Sequence, residues 1–228
     1  MALLVIEGLD GAGKSTQVGL LQNFLKESGK PFEYLHFPRT DSPVYGDLIA
    51  RFLRGELGEI DKVNPYLIAL IYAGDRADAK NILDGWLKQG FTIILDRYVY
   101  SNIAYQCAKL TDPKQKEALK KWILDTEFVY FALPKPDLNI FLDVPFNFTK
   151  QKLTGHRSGN NRSYLQGQRD IHEEDLDFQN KVRNVYLSLE GEDRFVRIDC
   201  SNGDVMLSTD EIFSKVKKVL NTSAIKQL

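Results

Sequence analysis

Cysteine is scarce in this chain: Cys107 and Cys200 are the only two in 228 residues. Their spacing matches no metal-binding cluster, and a single pair makes no disulfide framework, so both are expected to be buried or idle thiols. Long apolar runs are missing as well. A stretch such as residues 68–73 falls far short of the ~20 residues that cross a bilayer. The N-terminus shows neither the basic region nor the cleavage site of a secretory leader, and the expected setting is the cytoplasm, away from membranes. An excess of one charge sign is also lacking, with 30 Lys and Arg against 31 Asp and Glu. Nothing global therefore favours nucleic acid or an anionic surface, and any site for a polyanion must be local. No repeat, low-complexity tract or Pro/Gly linker divides the chain. With 43% hydrophobic and 27% charged residues, the expectation is one domain over residues 1–228 with a sizeable core.

Within that domain, apolar runs of strand length alternate with stretches of helical periodicity, the pattern of a parallel sheet covered by helices on both faces. Residues 2–6 predict a buried first strand. Residues 14–27 predict a helix whose Leu20, Leu21, Phe24 and Leu25 form an apolar stripe ending near Gly29. Further strands are predicted at 33–37, 91–95, 137–144 and 195–198, with one or more long helices over 64–88 stopped by Gly90. The expected fold is a doubly wound α/β domain. Residues 154–170 stand apart: they are polar, punctuated by Gly155, Gly159 and Gly167, and carry Arg157, Arg162 and Arg169. A short mobile lid fits that composition better than packed structure.

The strongest local signal is Gly8-Leu9-Asp10-Gly11-Ala12-Gly13-Lys14-Ser15, a phosphate-binding loop placed between a predicted strand and a predicted helix, as its mechanism requires. Glycines let successive backbone N–H groups converge, and the helix N-terminus adds partial positive charge where phosphates would sit. In this P-loop pattern Lys14 reaches the β- and γ-phosphates of ATP and the Ser15 hydroxyl helps to hold Mg²⁺. The ATP-binding residues are accordingly Gly8, Asp10, Gly11, Ala12, Gly13, Lys14, Ser15 and Thr16. Asp96-Arg97-Tyr98 follows directly on the 91–95 strand, at the carboxyl end of the sheet where open α/β folds take ligands. There Asp96 can orient Mg²⁺ or its waters, and Arg97 can bridge donor and acceptor phosphates as charge shifts. A surface ion pair at a strand end is the alternative.

Taken in order, these pieces resemble the thymidylate kinase family. The pieces are Glu7-Gly8-Leu9-Asp10, Phe37-Pro38-Arg39, Asp75-Arg76, Asp96-Arg97-Tyr98 with Ser101-Asn102, Pro134-Lys135-Pro136-Asp137, and an arginine-bearing lid before residues 170–186. The resemblance implies that Asp10 lies near the acceptor sugar's 3′-hydroxyl and the metal, unless it is a plain turn residue. It makes Arg39 and Arg97 the acceptor-phosphate clamp, a task suited to a guanidinium fork. Base selection falls to Tyr72, Arg76 and Asn102, with Ser101 and Gln106 beside them. Tyr72 and Arg76 share a helix face by spacing, although Tyr72 stands where phenylalanine is commoner and core packing is its other reading. Tyr105 matches an aromatic that closes off the sugar's 2′ side, or else it is a core aromatic. Asp170 and Glu173 match acidic positions bordering the phosphate and acceptor sites.

Many members of that family carry a basic residue inside the phosphate loop, whereas residues 9–13 hold none. The transition-state cation is then expected from the lid, from Arg157, Arg162 or Arg169. The resemblance further implies ATP and thymidylate as substrates, Mg²⁺ as cofactor, and a homodimer formed through helices. The adenine site is poorly marked, with residues 201–204 a candidate by position alone. Two other functions share parts of this pattern. A deoxynucleoside kinase would phosphorylate a 5′-hydroxyl and needs no Arg39–Arg97 clamp. A P-loop nucleotide switch would need neither an acceptor pocket nor three lid arginines.

Overall fold

The first predicted strand lies at the centre of a parallel sheet. The computed structural model describes residues 1–60, 62–154, 164–167, 170–203 and 205–222. In it β1 (Leu3–Gly8) is hydrogen-bonded on one side to β3 (Thr92–Asp96) and on the other to β4 (Leu138–Asp143). Outside these lie β2 (Phe32–His36), paired to β3, and β5 (Phe195–Asp199), paired to β4. The order β2-β3-β1-β4-β5 reverses direction around β1, and in such sheets the crevice at the carboxyl ends of the central strands takes the ligand. Ser201–Asn202 and Val205–Met206 add a small antiparallel pair, β6 and β7.

Strand periodicity sends alternate side chains to opposite faces, and both faces are dry. Leu3 and Val5 join one core with Ile93, Leu95 and Phe141, while Leu4 and Ile6 join a second with Ile94, Ile140 and Leu142. The second core is covered by α1 (Lys14–Glu27) through Val18, Leu21 and Leu25, and by α10 (Thr209–Thr222) through Ile212, Val216 and Leu220. Of the four residues predicted as the α1 stripe, Leu21 and Leu25 are fully buried, but Leu20 and Phe24 are only half-buried. The stripe runs one turn further back, through Gln17 and Val18, because α10 crosses there and the Gln17 Nε2 donates to the Thr209 carbonyl at 3.1 Å.

The first core is covered by α3 (Pro65–Asp78), α4 (Lys80–Lys88), α5 (Val99–Cys107), α6 (Pro113–Leu124) and α9 (Leu176–Ser188). The helical stretch expected over 64–88 consists of two helices meeting at Ala79. Its start is set by Asn64, whose Oδ1 accepts from the Tyr66 N–H at 2.9 Å, with Pro65 at the first helical position. A third, smaller cluster joins α2 (Tyr45–Leu53), through Ile49, Phe52 and Leu53, to Ile68 of α3. Gly74 permits that approach: a Cβ there would lie 2.2 Å from the Tyr45 ring. A π-helical turn (Asp125–Tyr130) extends α6, α7 spans Phe146–Thr154, and a short α8 (Ile171–Glu174) precedes α9. Cys107 and Cys200 are both free and buried, as expected. No helix among the described residues is long and apolar enough to cross a membrane.

Candidate active site

The phosphate loop joins β1 to α1. Gly13 has φ +81°, a left-handed conformation that side-chain-bearing residues resist, and it delivers the chain into α1 at Lys14. Ser15 and Thr16 are exposed on the first turn, where unsatisfied N–H groups favour anions. Lys14 is buried, and its Nζ donates to the carbonyls of Gly8 (3.3 Å) and Leu9 (3.0 Å). Burial lowers its pKa to about 8, helped by Arg97 and opposed by the carboxylates of Asp96, Asp10 and Glu7.

Asp96 ends β3 within reach of that lysine. Burial works to raise its carboxyl, but His36, Lys14 and Arg97 outweigh burial and hold it below the ordinary value. Its Oδ2 lies 3.5 Å from His36 Nδ1, and its Oδ1 is buried with no hydrogen-bond partner among the described residues. An ionised carboxylate with an orphaned oxygen, beside a hydroxyl-bearing helix start, fits a hard divalent cation that keeps water and phosphate ligands. Among the described residues no group of three or more His, Cys, Asp or Glu could hold a metal by itself.

Arg97 follows with φ +67°. This bend sends its guanidinium back over the loop, where Nη2 donates to Asp10 Oδ1 (2.7 Å) and to the Tyr105 hydroxyl (3.2 Å), and Nη1 to Ser101 Oγ (3.3 Å). Tyr105 in turn donates to Asp10 Oδ2 at 2.8 Å. Behind this cluster sits Glu7, fully buried. Its carboxylate accepts from the backbone N–H groups of Tyr98 (3.0 Å) and Ser101 (3.2 Å), from the Ser101 hydroxyl, and from the Tyr186 hydroxyl (2.9 Å). Glu7 thereby caps α5 from a neighbouring strand. Burial raises its pKa, with Ser101, Arg97 and Tyr186 opposing.

From here a cavity of about 730 Å³ opens, within the range of small-molecule sites. Asp10, Arg39, Tyr72, Arg76 and Arg97 all line it, as do Ser101, Asn102, Tyr105, Gln106 and Asp170. Tyr72 and Arg76 do project from one face of α3, and Tyr72 also packs against the third core cluster. Arg39 is held by Asp75: its Nε donates to Asp75 Oδ1 (2.9 Å), its Nη2 to the Asp75 carbonyl (2.8 Å) and to Asp78 Oδ2 (2.6 Å). Its own N–H donates to Asp75 Oδ2 at 2.9 Å. Asp170 caps α8, accepting from the His172 N–H at 2.8 Å, and receives the Tyr164 hydroxyl at 3.1 Å. His172, unmarked in the sequence, also lines the cavity against Tyr105 (ring centroids 5.0 Å). Burial first, then Lys109, brings its pKa down to about 3, so it is a neutral, largely apolar wall at ordinary pH.

Glu173 lies on α8 with its side chain outside the described set, and Arg157, Arg162 and Arg169 lie outside the described residues altogether. Asp75, Glu127, Glu7 and His172 escaped sequence reasoning as site residues. Asp75 and Glu7 carried a signal, standing in quoted motifs beside Arg76 and Gly8 respectively, whereas Glu127 and His172 carried none. A second depression, about 240 Å³, lies beyond β4 and β5 and is lined by Asn147, Arg183, Arg197, Ser201 and Gly203 among others. Asp143 accepts from both its arginines, from Arg183 Nε at 2.7 Å and from Arg197 Nε at 2.9 Å.

Comparison with known proteins agrees with this geometry. A family profile described as Thymidylate kinase matches residues 6–212. A Mycobacterium tuberculosis thymidylate kinase is 36% identical over 188 residues, covering 82% of this chain and 85% of that protein. A probable thymidylate kinase from Thermococcus onnurineus is 31% identical over 229 residues, covering 98% and 99%. A solved thymidylate kinase from Candida albicans, described as having broad substrate specificity, superposes with a TM-score of 0.72 at 26% identity over 97% of this chain and 91% of its own. With a phosphate-loop residue, Asp10, and Arg97 lining one cavity, and with that match across nearly its whole length, the chain belongs to the thymidylate kinase family of phosphotransferases.

Proposed function

We propose that the protein transfers the γ-phosphoryl group of ATP to thymidylate, giving ADP and thymidine diphosphate. The observation that carries this is the continuity of the site: Asp10 of the anion-binding loop, bonded to the Arg97 guanidinium, lines the same cavity as Arg76 and Asn102. An acceptor phosphate oxygen attacks the γ-phosphorus in line. One P–O bond forms as the bond to the β-phosphate oxygen breaks, and the electron pair leaves with ADP. The attacking oxygen is already anionic, so Asp96 need not remove a proton, and positioning with charge stabilisation dominates. Lys14 holds the β- and γ-phosphates, Arg39 and Arg97 hold the acceptor phosphate, and Asp10 and Tyr105 steady Arg97. Ser15 and Asp96, with Asp10 nearby, would hold Mg²⁺, which would supply positive charge to offset that of the donor phosphates. The orphaned Asp96 Oδ1 supports that assignment.

At the far end Tyr72 stacks under the base, Arg76 and Asn102 read its edge with Gln106 alongside, and Asp170 and Glu173 border the sugar and phosphates. Ser101 supports the floor from beneath. Segment 154–170 serves as a lid within a single domain and supplies the cation missing from residues 9–13. The second depression at Ser201 and Gly203, adjoining the ATP side, suits adenine. Exposed Leu67 and Leu70 on α3 favour a homodimer through helices, and the setting is the cytoplasm. Release of ADP, measured with Mg²⁺·ATP and each nucleoside monophosphate in turn, tests the proposal. Thymidylate should have the highest kcat/KM, and preference for cytidylate or adenylate would overturn it.

A further inference from the structure

Behind Arg76 and Asn102 of the cavity lies a charge that the proposed reaction does not use. Glu127 comes from the π-helical turn Asp125–Tyr130, is 0% exposed, and belongs to no motif. The wide turn faces it inward while Val129 and Tyr130 stay in solvent at 73% and 81% exposure; such turns recur at functional sites. Its two oxygens take three donors from the two residues placed on the base edge. Oε2 accepts from Arg76 Nε at 2.5 Å, and Oε1 accepts from Arg76 Nη2 at 2.7 Å and from Asn102 Nδ2 at 2.9 Å.

Two consequences follow from the donor and acceptor inventory. Arg76 spends Nε and Nη2 on the carboxylate, which fixes the plane of its guanidinium and leaves Nη1 for a ligand. Asn102 has both Nδ2 hydrogens committed, one to Glu127 and one to the Ala69 carbonyl at 3.0 Å. Both neighbours only accept, so the amide cannot be turned round, and Oδ1 is the atom left over. Among the described residues that Oδ1 is buried without a hydrogen-bond partner, and so is Oε1 of Gln106, one turn further along α5.

We infer that Glu127 is the positioning residue of base selection: it presents Arg76 as a donor and Asn102 as an acceptor, the complement of a pyrimidine imide edge. That edge offers a carbonyl oxygen next to an N–H. Cytosine offers an amino group next to a bare nitrogen and would meet donor with donor and acceptor with acceptor. The inference rests on the thymidylate reading above and adds the source of its discrimination. A carboxylate is required because an amide at 127 would place an N–H against at least one donor of Arg76 or Asn102.

Glu127→Gln, nearly identical in shape, is the test. The ratio of kcat/KM for thymidylate over deoxycytidylate should fall by roughly tenfold or more, the scale on which mismatched buried polar groups discriminate. The rise should sit in the acceptor KM, with the KM for ATP within about twofold. A folded variant with the parent ratio would overturn the inference and leave Glu127 a core ion pair. Independently of that variant, the Asn102 side-chain NH₂ of the intact parent should give two slowly exchanging proton resonances by NMR, free and with thymidylate bound. Rapid rotation or exchange of that amide in the free protein would equally overturn it. If the parent itself preferred deoxycytidylate, the thymidylate reading would fail and this inference with it; a thymidylate-preferring parent with an unaltered Glu127→Gln ratio would sink the positioning role alone.

Discussion

Replacing Lys14 by Met should destroy turnover and yet stabilise the free protein. Lys14 folds into a buried place whose hydrogen-bond partners are two backbone carbonyls, and burial brings its pKa from 10.5 down to about 8. That fall corresponds to roughly 3 kcal/mol against the charged form. Below pH 8 the lysine is protonated both folded and unfolded, and the penalty is present in full. Between about pH 8 and 10.5 the unfolded chain binds more protons than the fold, so stability at this site rises with pH and the penalty fades. Methionine has similar volume and no charge. Allowing for the two carbonyl bonds lost, the variant should gain roughly 1–3 kcal/mol at pH 7. For a chain of this size that raises Tm by about 2–10 °C. The assay is thermal unfolding of nucleotide-free parent and Lys14→Met protein at pH 7, 8, 9 and 10. The gap should be widest at pH 7 and close by pH 10, while turnover falls by roughly 10²- to 10³-fold. A variant less stable than the parent at pH 7, or a gap that ignores pH, would refute the reasoning.

Three further outcomes are expected. Arg97→Ala should lower kcat by roughly 10²- to 10³-fold, because it removes a cation from the phosphates in the transition state; near-normal turnover of folded protein would remove Arg97 from the mechanism. Asp75→Asn should raise the thymidylate KM more than the ATP KM, since Arg39 loses the carboxylate that holds its Nε at 2.9 Å, and steady-state kinetics with each substrate varied will show it. Of Arg157→Ala, Arg162→Ala and Arg169→Ala, at least one should slow single-turnover phosphoryl transfer by roughly 10³-fold with thymidylate binding retained; parent rates in all three would reduce the lid to a cover.

The centre of the sheet was legible in the sequence because β1, β3 and β4 are buried on both faces and therefore read as largely apolar runs, as at residues 2–6 and 91–95. The phosphate loop was legible because its glycines sit at fixed offsets from a strand and a helix. Helix faces were less so: the α1 stripe moved from Leu20 and Phe24 to Gln17 and Val18 because the crossing of α10, which no local pattern encodes, decides what is covered. Most residues lining the cavity carried motif signals. The roles of the residues behind them were not legible, although Glu7 stood in a quoted motif, since Glu7 and Glu127 lie far along the chain from the groups they hold, 94 positions from Ser101 in one case and 51 from Arg76 in the other. A buried glutamate in an apolar stretch looks like a surface charge until the fold brings its donors to it.

Those hidden carboxylates follow one rule. Arg39 is held by Asp75, Arg76 by Glu127 and Arg97 by Asp10, while Arg183 and Arg197 share Asp143. A guanidinium has five donors on three nitrogens, so a carboxylate can fix its plane from one side and leave another side for phosphate or base. The pairing also keeps each buried arginine compensated while no ligand is bound, when an unpaired charge would cost most. Lys14 is the exception, because an ammonium has no second edge: a carboxylate bonded to it would occupy the very directions that phosphate oxygens need. Among the described residues its hydrogen-bond partners are neutral carbonyls alone, which phosphate can displace without repulsion between anions. Burial of the lysine outweighs the attraction of Asp96, Asp10 and Glu7 in the free protein, so binding of a nucleotide there should return stability.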